Sequence, residues 1–253
     1  MRSARVPSAQ LRRWRGARAF VSLAEWLSGL LDLLFPPRCP SCGVISVTFC
    51  SECRATLQPR LDPGPLPSHS PALGSLWSAG AYTGRLRTAI HRFKYRGRTD
   101  LAQPLARLLV DTWVAGRGFA EIVVPVPQHP GRTRERGSAP AALLARALAT
   151  QVDLPCRAGA LIRIRNTPRQ VGLPGQERWA NVRAAFGPGP DSAALKGRTV
   201  LLVDDVATTG ATLGACATAC RDAGASRVLS LVVAREDVEA NRVPASPPNA
   251  GFH

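Results

Sequence analysis

Apolar positions along the chain fall into two kinds of run, and their order predicts the fold. Unbroken runs rich in β-branched residues occur at Ile122–Val126, Thr199–Val203 and Arg227–Ala234. Runs of this length with no polar alternation read as strands buried on both faces. Between them lie segments with helical spacing. Leu101–Val114 sets Leu105, Leu108 and Leu109 on one face, Ala141–Thr150 is an Ala/Leu helix, and Thr212–Ala223 is a helix closed by Gly224. Tyr82–Phe93 reads as a hairpin end leading into a helix. Strand, loop, helix, strand in this order implies right-handed crossovers and a mostly parallel sheet with flanking helices, an α/β domain. In such sheets ligands bind beyond the carboxyl ends of the strands.

The same pattern divides the chain. Residues 1–37 are a basic tail followed by Ala19–Phe35, where Leu23, Leu27, Leu30 and Leu34 recur at helical spacing up to Pro36-Pro37. Glu25 and Asp32 interrupt that run, and no small-residue cleavage site follows it, so neither a membrane span nor a signal peptide is expected. The helix either packs on the protein or lies in a membrane interface. Residues 38–60 hold four clustered cysteines, 61–75 form a Pro/Gly/Ser linker, 76–239 are the α/β domain, and 240–253 are a tail without periodicity. A linker this rich in proline predicts that the modules on either side act independently.

Composition adds charge to this picture. Among 253 residues, 33 are basic and 17 acidic, a net charge of +16. That excess suits polyanions such as nucleic acid, sugar phosphates or an anionic membrane surface. Nearly all of it is arginine, with Lys94 and Lys196 the two lysines, so GC-rich coding is an equal explanation. Cysteines clustered in pairs, with Cys156, Cys216 and Cys220 in apolar segments, point to a reducing compartment and a cytoplasmic location.

The strand Thr199–Val203 ends on Asp204 and Asp205, then passes through Val206, Ala207, Thr208, Thr209, Gly210, Ala211 and Thr212 into a helix. A small-residue loop feeding a helix start turns several unpaired N–H groups and a positive dipole end toward one point, which is an anion site. Gly210 permits close backbone approach, and Thr208, Thr209 and Thr212 add hydroxyl donors. The two aspartates repel phosphate but accept hydrogen bonds from a diol. Together they describe a ribose 5-phosphate, and no Walker lysine points to ATP. The run VLLVDDVATTGAT resembles the phosphoribosyl-diphosphate loop of the type I phosphoribosyltransferases.

Beyond the strand 122–126, Arg132, Arg134, Arg136 and Gly137 suit a diphosphate at the neighbouring strand end. Residues 165–186 are long, polar and aperiodic, either a functional loop or disorder. Arg165, Gln170 and Arg178 are among the side chains a lid over phosphates would offer. Cys39-x-x-Cys42 and Cys50-x-x-Cys53 form two knuckles able to give a tetrahedral Zn²⁺ four thiolates, with a redox disulfide as the alternative. Four thiolates leave no open position, so such a zinc is structural.

These motifs, with HRFKYRG, VVPVP followed by RERG, and T-x-x-Q-x-x-L…R-x-x-N-V-x-x-A-F, resemble the ComF (GntX-type) family over nearly the whole chain. That resemblance implies a Rossmann-like type I phosphoribosyltransferase domain behind a zinc-ribbon-like module, binding phosphoribosyl diphosphate with Mg²⁺. It implies transfer to a nucleobase-like acceptor that no sequence feature selects, or alternatively a non-catalytic protein that handles single-stranded DNA in uptake or recombination. Lys94 and Tyr95 are then candidate contacts for substrate or DNA, and Arg12-Arg13-Trp14-Arg15 and Arg163 add to the basic surface. One departure is local. Ser138, Ala139 and Pro140 stand where the family carries an aromatic and an amide, and the family pattern does not carry over at that spot.

Overall fold

The computed structural model describes residues 36–46, 48–61, 71–95, 97–128, 139–164 and 185–236. The chain divides into Met1–Pro37 and Arg38–His253, and the second unit holds nearly all of the described residues. The amphipathic segment Ala19–Phe35 and the tail 240–253 lie outside the described residues. No helix among them is long and apolar enough to cross a membrane.

Four strands form a parallel sheet: β1 (Ser75–Ser78), β2 (Ile122–Pro125), β5 (Thr199–Ala207) and β6 (Arg227–Arg235), in the order β1-β6-β5-β2. Val200, Leu201, Leu202 and Val203 are wholly buried, as a β-branched run in an inner strand should be. Pro125 is tolerated because β2 is an edge strand, and its register partner is Val203. Val203 in turn pairs with Leu231 of β6, so β2 ends level with the residue before the acid pair, while β5 and β6 run on together to Ala207 and Arg235.

The helices cover both faces. α2 (Gly84–Tyr95), α3 (Ala102–Ala115) and α4 (Pro140–Val152) share one core layer with Leu201, Val203, Leu229 and Leu231. α5 (Ala211–Asp222) and a two-stranded antiparallel ribbon, β3 (Leu161–Arg163) with β4 (Phe186–Pro188), share the other with Val200, Leu202, Val228 and Val232. Alternate residues of β5 and β6 thus serve opposite layers. Leu105 and Leu109 on α3 are fully buried, each contributing about 2 kcal/mol. α4 opens on Pro140, whose missing N–H is harmless in a first turn, and ends on Asp153 in the left-handed region.

Three strands escaped the hydrophobic pattern. β1 is four residues at the end of the Pro-rich stretch, and β3 and β4 are three residues each. Elements this short carry too few positions for a period and form because β6 or a sister strand completes their hydrogen bonding.

The cysteine module is not independent of the sheet domain, contrary to the expectation from the linker. Cys39, Phe49 and Cys53 are buried in the same core layer as Leu86, Ile90 and Phe93 of α2. Arg92 of α2 donates from Nη1 to the carbonyls of Pro40 and Ser41 at 3.2 and 2.9 Å. Arg54, on the short helix α1 (Ser51–Ala55), reaches Asp111 of α3 at 2.7 Å, and Arg60 bridges to Ser78 of β1. Proline in the connecting chain stiffens it but does not keep its two ends apart.

Candidate functional site

β5 continues two residues past its acid pair, so Asp204 and Asp205 stand at the carboxyl end of an inner strand, with Asp204 level with Val232 of β6. Three residues then turn the chain into α5. The turn needs Gly210, which caps the helix at φ 76°, where a β-carbon would be strained. Thr208 is exposed, Thr209 and Thr212 half-buried, and Thr209 Oγ1 accepts from the Ala211 N–H at 3.4 Å. The first turn of α5 carries no acidic residue that would compete with an anion at its N-terminus.

The two acids differ. Asp205 is 4% exposed, and its Oδ1 lies 2.9 Å from Lys94 Nζ at the end of α2. Its Oδ2 is buried with no hydrogen-bond partner among the described residues. Asp204 accepts from the backbone N–H of Asp205 at 2.8 Å. Burial, and then the Asp205 charge, push the Asp204 carboxyl well above the usual range, while Lys94 and that N–H pull the other way. Burial would lower the Lys94 ammonium, but Asp205 and Asp204 outweigh it and raise its pKa, so it is charged at neutral pH.

Ala207, Thr208, Thr209, Gly210, Ala211 and Thr212 follow the acids directly, on the passage from β5 into α5. Arg132, Arg134, Arg136, Gly137, Arg165, Gln170 and Arg178 lie outside the described residues. Gln128, three residues past the end of β2, has a buried Oε1 with no partner among the described residues. Sequence reasoning passed over it because one glutamine after a strand is unremarkable without its neighbour strand. Lys94 points inward, onto Asp205. Tyr95 is exposed, with its ring 4.9 Å from that of His91.

A second cluster is built by the cysteines. The first knuckle closes through Cys39 N–H to the Val44 carbonyl and Gly43 N–H to the Cys39 carbonyl, at 2.7 and 3.1 Å. Cys50 heads α1, which carries Cys53. The four Sγ atoms lie within 4.8 Å of one another, and none is in a disulfide. Tetrahedral Zn–S bonds of about 2.3 Å need sulfurs only slightly closer than this limit, so the donor set fits zinc. Burial would raise the Cys39 thiol, but N–H donors from Cys50, Cys42 and Ser41 bring it down to about 6. Burial likewise opposes ionisation of Cys53, yet Arg85 Nη1, 2.9 Å from its sulfur, leads the donors that lower it. Cys50 goes the other way: a backbone N–H from Cys53 lowers its thiol, but burial and the neighbouring cysteine side chains outweigh that and push it up to about 12. Two thiols are thus primed to ionise, and a bound cation would be needed to deprotonate Cys50 as well.

A phosphoribosyl transferase domain family matches residues 136–249, and a double zinc ribbon domain family matches residues 30–65, which span the four cysteines. The chain is 29% identical to competence protein F of Haemophilus influenzae over 75% of its own length and 86% of that protein. It is 28% identical to the DNA utilization protein YhgH of Salmonella typhimurium, covering 69% of this chain and 74% of that one. Among solved structures it is similar to the glutamine phosphoribosylpyrophosphate amidotransferase of B. subtilis, at 22% identity, over 56% of this chain and 30% of that chain, with a TM-score of 0.38.

Proposed function

We infer, for a chain that joins a zinc ribbon to a phosphoribosyl transferase domain and is related to competence protein F and YhgH, that it binds phosphoribosyl diphosphate at the end of β5. The loop 207–212 takes the 5-phosphate through N–H groups and threonine hydroxyls. Asp204 and Asp205 accept from the ribose diol. The observation that carries this reading is the buried Asp205 Oδ2, an acceptor with no partner among the described residues, beside a helix start shaped for an anion. A desolvated carboxylate oxygen left unpaired costs roughly 1–3 kcal/mol, which a sugar hydroxyl would repay.

Carboxylate oxygens are also the hard donors that Mg²⁺ prefers, so the acid pair fits a cation that arrives with the diphosphate. When bound, Mg²⁺ would neutralise part of the charge on the leaving group. The chain's own contribution is to hold the sugar by its diol and phosphate and to meet the diphosphate with the arginines that follow β2. Such an arrangement serves displacement of pyrophosphate at the anomeric carbon by a nucleobase-like acceptor. No covalent nucleophile is required, because stabilising the charge of the departing diphosphate suffices.

A second reading is favoured by the outer face of α2. A groove there is lined by Gly84, Arg87, Thr88, His91 and Arg92, with the exposed Tyr95 ring packed on His91. Cations interleaved with an aromatic ring suit single-stranded DNA, and the names of the relatives speak of competence and DNA utilization. In that reading the sugar site regulates and performs no transfer. Incubating the chain with phosphoribosyl diphosphate, Mg²⁺ and a nucleobase panel while following pyrophosphate release separates the two. Release with one base supports the enzyme, and binding without release supports the DNA-handling protein.

A further inference from the structure

α2 is anchored at both ends. Its first and last turns hold the cysteine module through Arg85 and Arg92, and its last turn also delivers Lys94 to Asp205. The Lys94 side chain is 17% exposed and that of Asp205 6%. A pair this sheltered loses much of its Coulombic gain to desolvation, so stability alone is a weak reason for it. The geometry offers a better one. Nζ takes Oδ1 at 2.9 Å and leaves Oδ2 buried and unpartnered among the described residues. A carboxylate clamped at one oxygen cannot rotate freely, and its other oxygen presents a fixed acceptor.

We propose that Lys94 is a positioning residue for the sugar: it clamps Asp205 through Oδ1 so that Oδ2 meets a ribose hydroxyl, and it does not itself touch the ligand. This rests on the reading of the loop and acids as the phosphoribosyl-diphosphate site. Pre-paid orientation of an acceptor lowers the entropy lost on binding.

The test is calorimetric titration of the full, zinc-loaded chain with phosphoribosyl diphosphate and Mg²⁺. Variants are K94M, K94R, D205N and K94M/D205N. K94M should bind about tenfold more weakly, since the acceptor loses its fixed orientation. K94R should recover most of that loss, because a charged donor to Oδ1 is restored. In the D205N background, adding K94M should change affinity by less than about twofold, since no carboxylate is left to orient. That comparison stands even where K94M alone does not fold. Wild-type affinity in K94M, with ligand binding intact in the unaltered chain, overturns the inference and leaves the site reading in place. An equal loss from K94M with and without D205N also overturns it, because the ammonium then acts on the ligand directly. No binding by the unaltered chain at any pH overturns both.

Discussion

The Arg85 guanidinium donates to the Cys53 sulfur at 2.9 Å, so the helix that carries Lys94 to Asp205 also grips the four-cysteine cluster. Zinc occupancy and the position of α2 are therefore linked. The unaltered chain should hold one zinc per molecule by elemental analysis, and Cys39→Ser should release it. The melting temperature of the whole Arg38–His253 unit should fall in that variant, since Cys39, Phe49 and Cys53 share a core layer with α2. Arg85→Met should keep its zinc but lose it faster to a chelator. Zinc-free protein melting like the native chain would show the two modules to be uncoupled.

Asp204 predicts a conflict between stability and binding. Its pKa in the folded chain is raised, so the folded state binds a proton more tightly than the unfolded one. Its destabilising effect is therefore absent below the unfolded value and grows as pH rises through the folded one. Asp204→Asn removes that effect and should stabilise the ligand-free chain by about 1 kcal/mol at neutral pH. The gain should vanish in acid, and the rise in melting temperature on adding phosphoribosyl diphosphate should be lost. Thermal melts at two pH values with and without ligand check all three.

Gly210 tests the loop. At φ 76° an alanine is strained, so Gly210→Ala should cost about 1 kcal/mol of stability. Its larger effect should be on the ligand, because a shifted turn misdirects every N–H that follows. Affinity should fall roughly tenfold, the worth of one misplaced hydrogen bond. Calorimetry on the folded variant reads this directly, and unchanged affinity would place the phosphate elsewhere.

Single-stranded DNA, if bound, should use the α2 groove. Affinity by fluorescence anisotropy should fall steeply with salt, by a power of about 0.7 for each phosphate neutralised. Arg87→Ala and Arg92→Ala should each flatten that slope by about the same amount. His91→Ala should weaken binding with little change of slope, because stacking releases no counterion. Equal affinity for duplex would retain the charge argument and remove the preference for single strands.

Residues adjacent in sequence made much of this protein legible. The run of four buried residues into Asp204-Asp205, the threonines and Gly210 all lie on one stretch of chain, so a strand, a turn and a helix start suffice to bring them together. The two cysteine pairs are equally local, and backbone turns of a few residues bring the four sulfurs within ligand range. What tertiary structure decided joins distant segments. Lys94 meets Asp205 because α2 packs on the layer that β5 and β6 build. Arg85 and Arg92 tie the cysteine module to that helix across a proline-rich connection that, on the sequence, promised independence. β1, β3 and β4 are too short to show a period and exist only where a partner strand supplies the hydrogen bonds. Local chemistry is written in spacing. Which buried charge faces which, and therefore which carboxylate oxygen is left open to a ligand, depends on packing between elements, which spacing does not encode.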